Sequence, residues 1–66
     1  MAIMKSIEVL SESPKSFEDA IQTAVTRTAK TVKNIQSANI KNQKVTIKDG
    51  KIDMYRVNVK ITFKVG

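Results

Sequence analysis

The sequence predicts an α+β domain of β-α-β-β order, a three-stranded antiparallel sheet partly wrapped around one amphipathic helix. Three observations carry that prediction. Apolar or small residues recur three and four apart from Phe17 to Val32, the spacing of one helix face. From Tyr55 to Val65 they recur at every second residue, the spacing of a strand with one buried face. Upstream of that run, Lys48-Asp49-Gly50-Lys51 places Asp-Gly between two strand-like segments, a strong short-range signal for a hairpin with a type I′ turn.

Taken in order, Lys5 to Leu10 alternates as a short strand, with Ile7 and Val9 on one side and Ser6, Glu8 and Leu10 on the other. Leu10 breaks the polar side. Pro14 disfavours a helical conformation at Ser13, so the helix is expected to start after it. Ser16 is a natural N-cap, and Asp19 three residues on makes an acidic variant of the capping box. The helix is expected over Phe17–Lys33. Glu18 and Asp19 complement its positive end, and Arg27, Lys30 and Lys33 its negative end.

The last strand places Tyr55, Val57, Val59, Ile61, Phe63 and Val65 on a core face. Arg56, Asn58, Lys60, Thr62 and Lys64 take a polar face. The preceding strand, Ile35–Ile47, changes parity between Ile40 and Val45, which predicts a bulge near Lys41–Lys44. Phe17 and Phe63 read as core residues, and the first strand is expected to join the sheet beside the last. One helix cannot cover a long three-stranded sheet, so part of it needs another covering.

The chain has 66 residues, read as one domain over 1–66, and no cysteine or histidine. Small domains without disulfides or metal sites commonly gain stability by oligomerising, so self-assembly is the expected staple. Without histidine or cysteine and with no nucleophile–base pair in view, an enzyme is not expected. No secretory or membrane segment is visible, which makes a cytoplasmic protein the expectation. Net charge is +6, and residues 34–66 hold seven of the twelve basic residues against two of the six acidic ones. Such a half suits phosphorylated ligands, nucleic acid or an acidic partner surface, or is simply a solvated lysine-rich face. Nucleic acid is not the expected partner, because Phe17, Tyr55 and Phe63 all fall on core faces and leave no stacking platform.

The run Ser13, Pro14, Ser16, Phe17, Glu18, Asp19, Ala20, followed by Tyr55, Arg56, Val57, Val59, Ile61, Phe63, Lys64, Val65, resembles the dodecins. Their pattern is S-P-x-S-[WF]-E-D-A at the helix start and Y-[RQ]-V-x-[VL]-x-[VIL]-x-F-[KR]-[VL] in the final strand. The resemblance spans about Lys5 to Val65. It implies a hollow homododecamer with helices outside and sheets lining the cavity. It also implies a storage or buffering role, with FMN or riboflavin bound as stacked pairs and, in some members, coenzyme A.

Carried over residue by residue, the resemblance puts Ser37 where flavin-binding members have the tryptophan that stacks on the ring. Arg56 matches the residue at the flavin edge, Lys44 a basic residue contacting ligand or phosphate, and Lys64 a basic residue near subunit contacts and phosphates. The chain has no tryptophan at all. Losing that stacking and the buried ring is expected to weaken flavin binding by about two or more orders of magnitude. Members lacking the tryptophan are associated with other ligands, calcium among them. Glu8, Glu12, Asp49 and Asp53 could supply oxygens to calcium, though they form no dense acidic loop. For Ser37 the alternative is a small residue at a subunit contact. For Arg56 it is an interface salt bridge, and for Lys44 and Lys64 solvated or ion-paired surface positions.

Overall fold

A computed structural model describes residues 2–65. Strand β1 (Ile3–Ser13) leads into helix α1 (Phe17–Thr28), followed by strands β2 (Ile35–Lys48) and β3 (Lys51–Val65). The sheet is antiparallel with order β1-β3-β2, so the last strand is central and the first lies beside it, as expected. β1 and β3 run well beyond the alternating segments legible in the sequence. Their extra residues, Ile3 and Met4, Ser11 to Ser13, and Lys51 to Met54, are drawn into strand by pairing.

The helix is shorter than the periodicity suggests. It ends at Thr28, and Lys30 and Lys33 lie beyond it rather than in its last turn. Past Thr28 the chain tightens: the amides of Lys30 and Thr31 donate to the carbonyls three residues back, at 3.2 and 3.1 Å. Thr31 Oγ1 also donates to the Thr28 carbonyl at 3.4 Å. The Val32 amide also donates to the Thr28 carbonyl, at 2.9 Å, so the carbonyls of Arg27 and Thr28 are satisfied in a closing turn beyond the helix. Asn34 then takes a left-handed conformation (φ 63°), which Asn tolerates well, and its carbonyl accepts from Lys64 N at 3.0 Å. That bond anchors the reversal to the end of the central strand.

Ser16 caps the helix as expected, accepting from the Asp19 amide at 3.0 Å. The reciprocal half of a capping box is replaced. The Asp19 carboxylate instead accepts from the hydroxyl of buried Ser13 at 2.6 Å, tying the start of the helix to the end of β1. Asp49 (φ 53°) and Gly50 (φ 75°) both adopt positive φ, as a type I′ hairpin turn requires. The expected bulge falls at Lys41, and two further register shifts mark extra residues at Gln36 in β2 and Asp53 in β3.

Ala20 and Ala24 are buried where α1 meets the sheet, their small side chains letting the helix sit close over Val57, Val59 and Ile61. Phe17 and Tyr55 meet edge-to-face with ring centroids 5.1 Å apart. Twelve helical residues span about 18 Å, whereas the molecule is 51 Å long. The helix therefore covers only the middle of its face. Beyond it Ile3 and Val65 stay exposed at one end and Ile47 and Ile52 at the hairpin tip.

Candidate functional site

The second face of the sheet carries no helix. Cross-strand pairing assigns its members: Glu12, Leu10, Glu8, Ser6 and Met4 of β1 lie against Arg56, Asn58, Lys60, Thr62 and Lys64 of β3. From the other side Lys44, Asn42, Asn39 and Ser37 of β2 lie against Arg56, Asn58, Lys60 and Thr62. Ser37, Lys44, Arg56 and Lys64 thus all fall on this open face. They form two groups. Lys44 and Arg56 are direct cross-strand partners, while Ser37 pairs with Thr62, two residues from Lys64. Six residues of strand, about 20 Å, separate the groups, so one chain does not close a single pocket around all four.

The sequence reading missed how this face is wired. The Arg56 guanidinium donates to Glu12 through Nε at 3.0 Å and lies 2.9 Å from the same carboxylate through a terminal nitrogen. At the sheet centre Glu8 receives Lys41 Nζ at 3.0 Å and Asn58 Nδ2 at 3.2 Å, a link that joins all three strands. The Lys41 hydrogen bond, then that from Asn58 and the Lys41 charge, hold the Glu8 carboxyl below its ordinary value. The bulge gives Lys41 its reach. These pairings depend on register between distant segments, which no local pattern reveals.

Chemically the face is cationic and polar. Lys41, Lys44, Arg56, Lys60 and Lys64 stand on this face with Glu8 and Glu12, and both of those carboxylates already hold cations. Lys44, Lys60 and Lys64 have no carboxylate partner among the described residues. No aromatic ring points this way, because Tyr55 and Phe63 share the helix-side parity and Phe17 packs on Tyr55. A flavin would meet charge and hydrogen-bonding groups here, without the stacking ring. Calcium fits the donor set poorly: among the described residues no three acidic side chains cluster as a metal site. A shallow hollow of about 250 Å³ lies at one end of the face, lined by Leu10, Ser11, Glu12 and Arg56. No helix among the described residues is long and apolar enough to cross a membrane.

The family model described as Dodecin matches residues 3–66. The chain belongs to the dodecin family. Membership makes it a small-molecule-binding protein of the dodecin kind. Over 65 residues it is 29% identical to the calcium dodecin of Mycobacterium tuberculosis, covering 98% of this chain and 92% of that one. The crystal structure of an arginine-to-alanine variant of the Thermus thermophilus dodecin superposes with a TM-score of 0.94 at 26% identity, covering 100% of this chain and 98% of that one. The M. tuberculosis calcium dodecin, described as a calcium-chelating antigen with a novel calcium-binding site, superposes with a TM-score of 0.83. It is 32% identical by that alignment, covering 97% of this chain and 91% of that one. The β-α-β-β architecture is therefore the dodecin fold.

Proposed function

We propose that residues 1–66 act as one dodecin domain that assembles into a cytoplasmic homododecamer, open sheet faces inward, and sequesters a small phosphorylated ligand without catalysing a reaction. FMN is the leading candidate, held mainly through its phosphate because Ser37 supplies no stacking ring. The observation that carries this reading is the placement of Lys44 with Arg56, and of Ser37 near Lys64, as two groups on one uncovered, cationic sheet face. Assembly is supported by the apolar residues left exposed at both ends of the helix-side face and by the need of so short a chain for additional burial.

Flavin fluorescence quenching tests the ligand. FMN is expected to bind more tightly than riboflavin, with the difference shrinking as salt rises. Ser37→Trp is expected to tighten both by about a hundredfold through the restored ring. Absence of quenching at high micromolar protein, in the wild-type chain and in Ser37→Trp alike, removes flavin. Light scattering showing a stable monomer or dimer removes the assembly.

A flavin-independent shell is the second reading. The three lysines without carboxylate partners favour coenzyme A or phosphate as its ligand. Calcium, suggested by the M. tuberculosis relative, would have to displace the cations from Glu8 and Glu12 or use carboxylates brought together by assembly. Native mass spectrometry of freshly purified protein separates these ligands by mass.

A further inference from the structure

The bond from Asn58 to Glu8 fixes which way the Asn58 amide points. Its Nδ2 donates to Glu8 Oε2 at 3.2 Å, and the reversed amide would set two oxygens against each other. Asn58 Oδ1 is thereby turned to a buried position, where it has no hydrogen-bond partner among the described residues. A buried acceptor without a partner destabilises the arrangement that holds it. The ion pair beside it does little to offset that cost. Lys41 Nζ reaches the other oxygen of the Glu8 carboxylate at 3.0 Å, yet the two side chains are 44% and 51% exposed. Exposed pairs contribute little to stability and weaken in salt.

Two neighbouring features supply a second arrangement. Lys41 is the extra residue of a bulge, since Ile40 pairs with Val59 and Asn42 with Asn58. Its backbone stands outside the regular ladder, and bulges re-aim side chains in this way. Asn42, directly across from Asn58 on the same face, brings an amide donor within reach of Oδ1.

We propose that Glu8, Lys41 and Asn58 form a two-position clasp across the sheet, closed in this structure and opened when a solution anion takes Lys41 from Glu8. Closed, one carboxylate ties β2 and β3 to β1 through side chains, and the Asn58 carbonyl stays buried. Open, Asn58 turns its amide away from Glu8, its carbonyl accepts from Asn42, and Lys41 stands free at the centre of the face. The anion drives the change because it binds Lys41 only in the open arrangement. Lys60 is paired with Glu8 across the strands but is not among its hydrogen-bond partners, so it does not replace Lys41. The open-face neighbours of Glu8 on β1, Ser6 and Leu10, carry no charge, and α1 packs on the opposite face. The clasp does not depend on which ligand the face takes.

Carboxyl NMR of protein labelled at glutamate reads the clasp, with Glu8→Gln distinguishing its signal from those of Glu12 and Glu18. Acid titrations are run in chloride and in sulfate at equal ionic strength, for wild type, Lys41→Met and Lys48→Met, the last removing a cation at the far end of β2. Sulfate is expected to raise the Glu8 midpoint further toward its ordinary value than chloride does in wild type and Lys48→Met, but not in Lys41→Met. The sign follows because Lys41 stabilises the ionised carboxylate and its capture removes that support. A crystal structure of Lys41→Met is expected to show Asn58 turned from Glu8 toward Asn42. The clasp is overturned if sulfate and chloride act alike on wild type, or if Lys41→Met responds to sulfate as wild type does. It is equally overturned if Lys48→Met loses the response, or if Asn58 keeps its bond to Glu8 in Lys41→Met. The wild-type comparison decides even where a variant fails to fold. Each of these results leaves the proposed function to its own test by flavin quenching.

Discussion

The two faces of one central strand divide the work of this protein. On one side of β3, Val57, Val59 and Ile61 are 0–1% exposed beneath a helix that buries two alanines. On the other, the alternate residues Arg56, Asn58, Lys60, Thr62 and Lys64 stand on a face with no helix, among ion pairs and lysines that have no carboxylate partner among the described residues. A side-chain period of two puts both faces on one eleven-residue run. The comparison teaches that a change of one position along this strand moves a side chain from the buried core to the open cationic face.

The largest expected effect tests the covered face. Ile61→Ala should destabilise the fold by about 3 kcal/mol through lost burial and a residual cavity. Lys60→Ala beside it should leave stability nearly unchanged. Urea denaturation at fixed protein concentration distinguishes them, and equal losses would break the division. Ser13→Ala should cost about 2 kcal/mol, because it strands the Asp19 carboxylate that joins the helix to β1.

Smaller effects sharpen the contrast away from the core. Gly50→Ala should cost about 1 kcal/mol. The cause is its positive φ alone, since an added Cβ meets no atom within 4 Å. On the open face, Glu12→Gln should change stability by only a few tenths of a kcal/mol, as exposed ion pairs do, and the difference should fade in high salt. If Glu12→Gln unfolds the protein, the open face is structural after all.

The smallest expected effect is a pH dependence. The Glu8 carboxyl is held below its ordinary value of 4.5 by Lys41 and Asn58. Its contribution is therefore fully present above that value and is lost as pH falls through the depressed one. Acid titration of wild type against Glu8→Gln should show the two stabilities converging in that window. A gap persisting at lower pH would mean that Glu8 acts by packing instead.

Much of this was legible from residue order alone. The 3.6-residue spacing after Ser16, the alternation after Tyr55, the Asp-Gly turn and the parity change around Lys41 each encode a local backbone preference, and each appears in the structure. The helix end was not legible. Periodicity continues to Val32, while the helix ends at Thr28 and the amides of Lys30, Thr31 and Val32 close a turn onto Arg27 and Thr28. The bulges at Gln36 and Asp53 were hidden as well, since neither disturbs an obvious apolar pattern.

The candidate site divides along the same line. Alternation alone assigned Arg56 and Lys64 to the polar side of the last strand, and it marked Leu10 as an exception on the first. That Glu12 meets Arg56, that Glu8 meets both Lys41 and Asn58, and that Ser37 and Lys44 share the face with them depend on β1-β3-β2 order and on register. Those are set by contacts between segments tens of residues apart. The sequence by itself determined which side of each element is apolar, because that follows from the repeat of the backbone. Only the tertiary structure decided which polar groups meet, because pairing distant strands brings their charges within hydrogen-bonding distance.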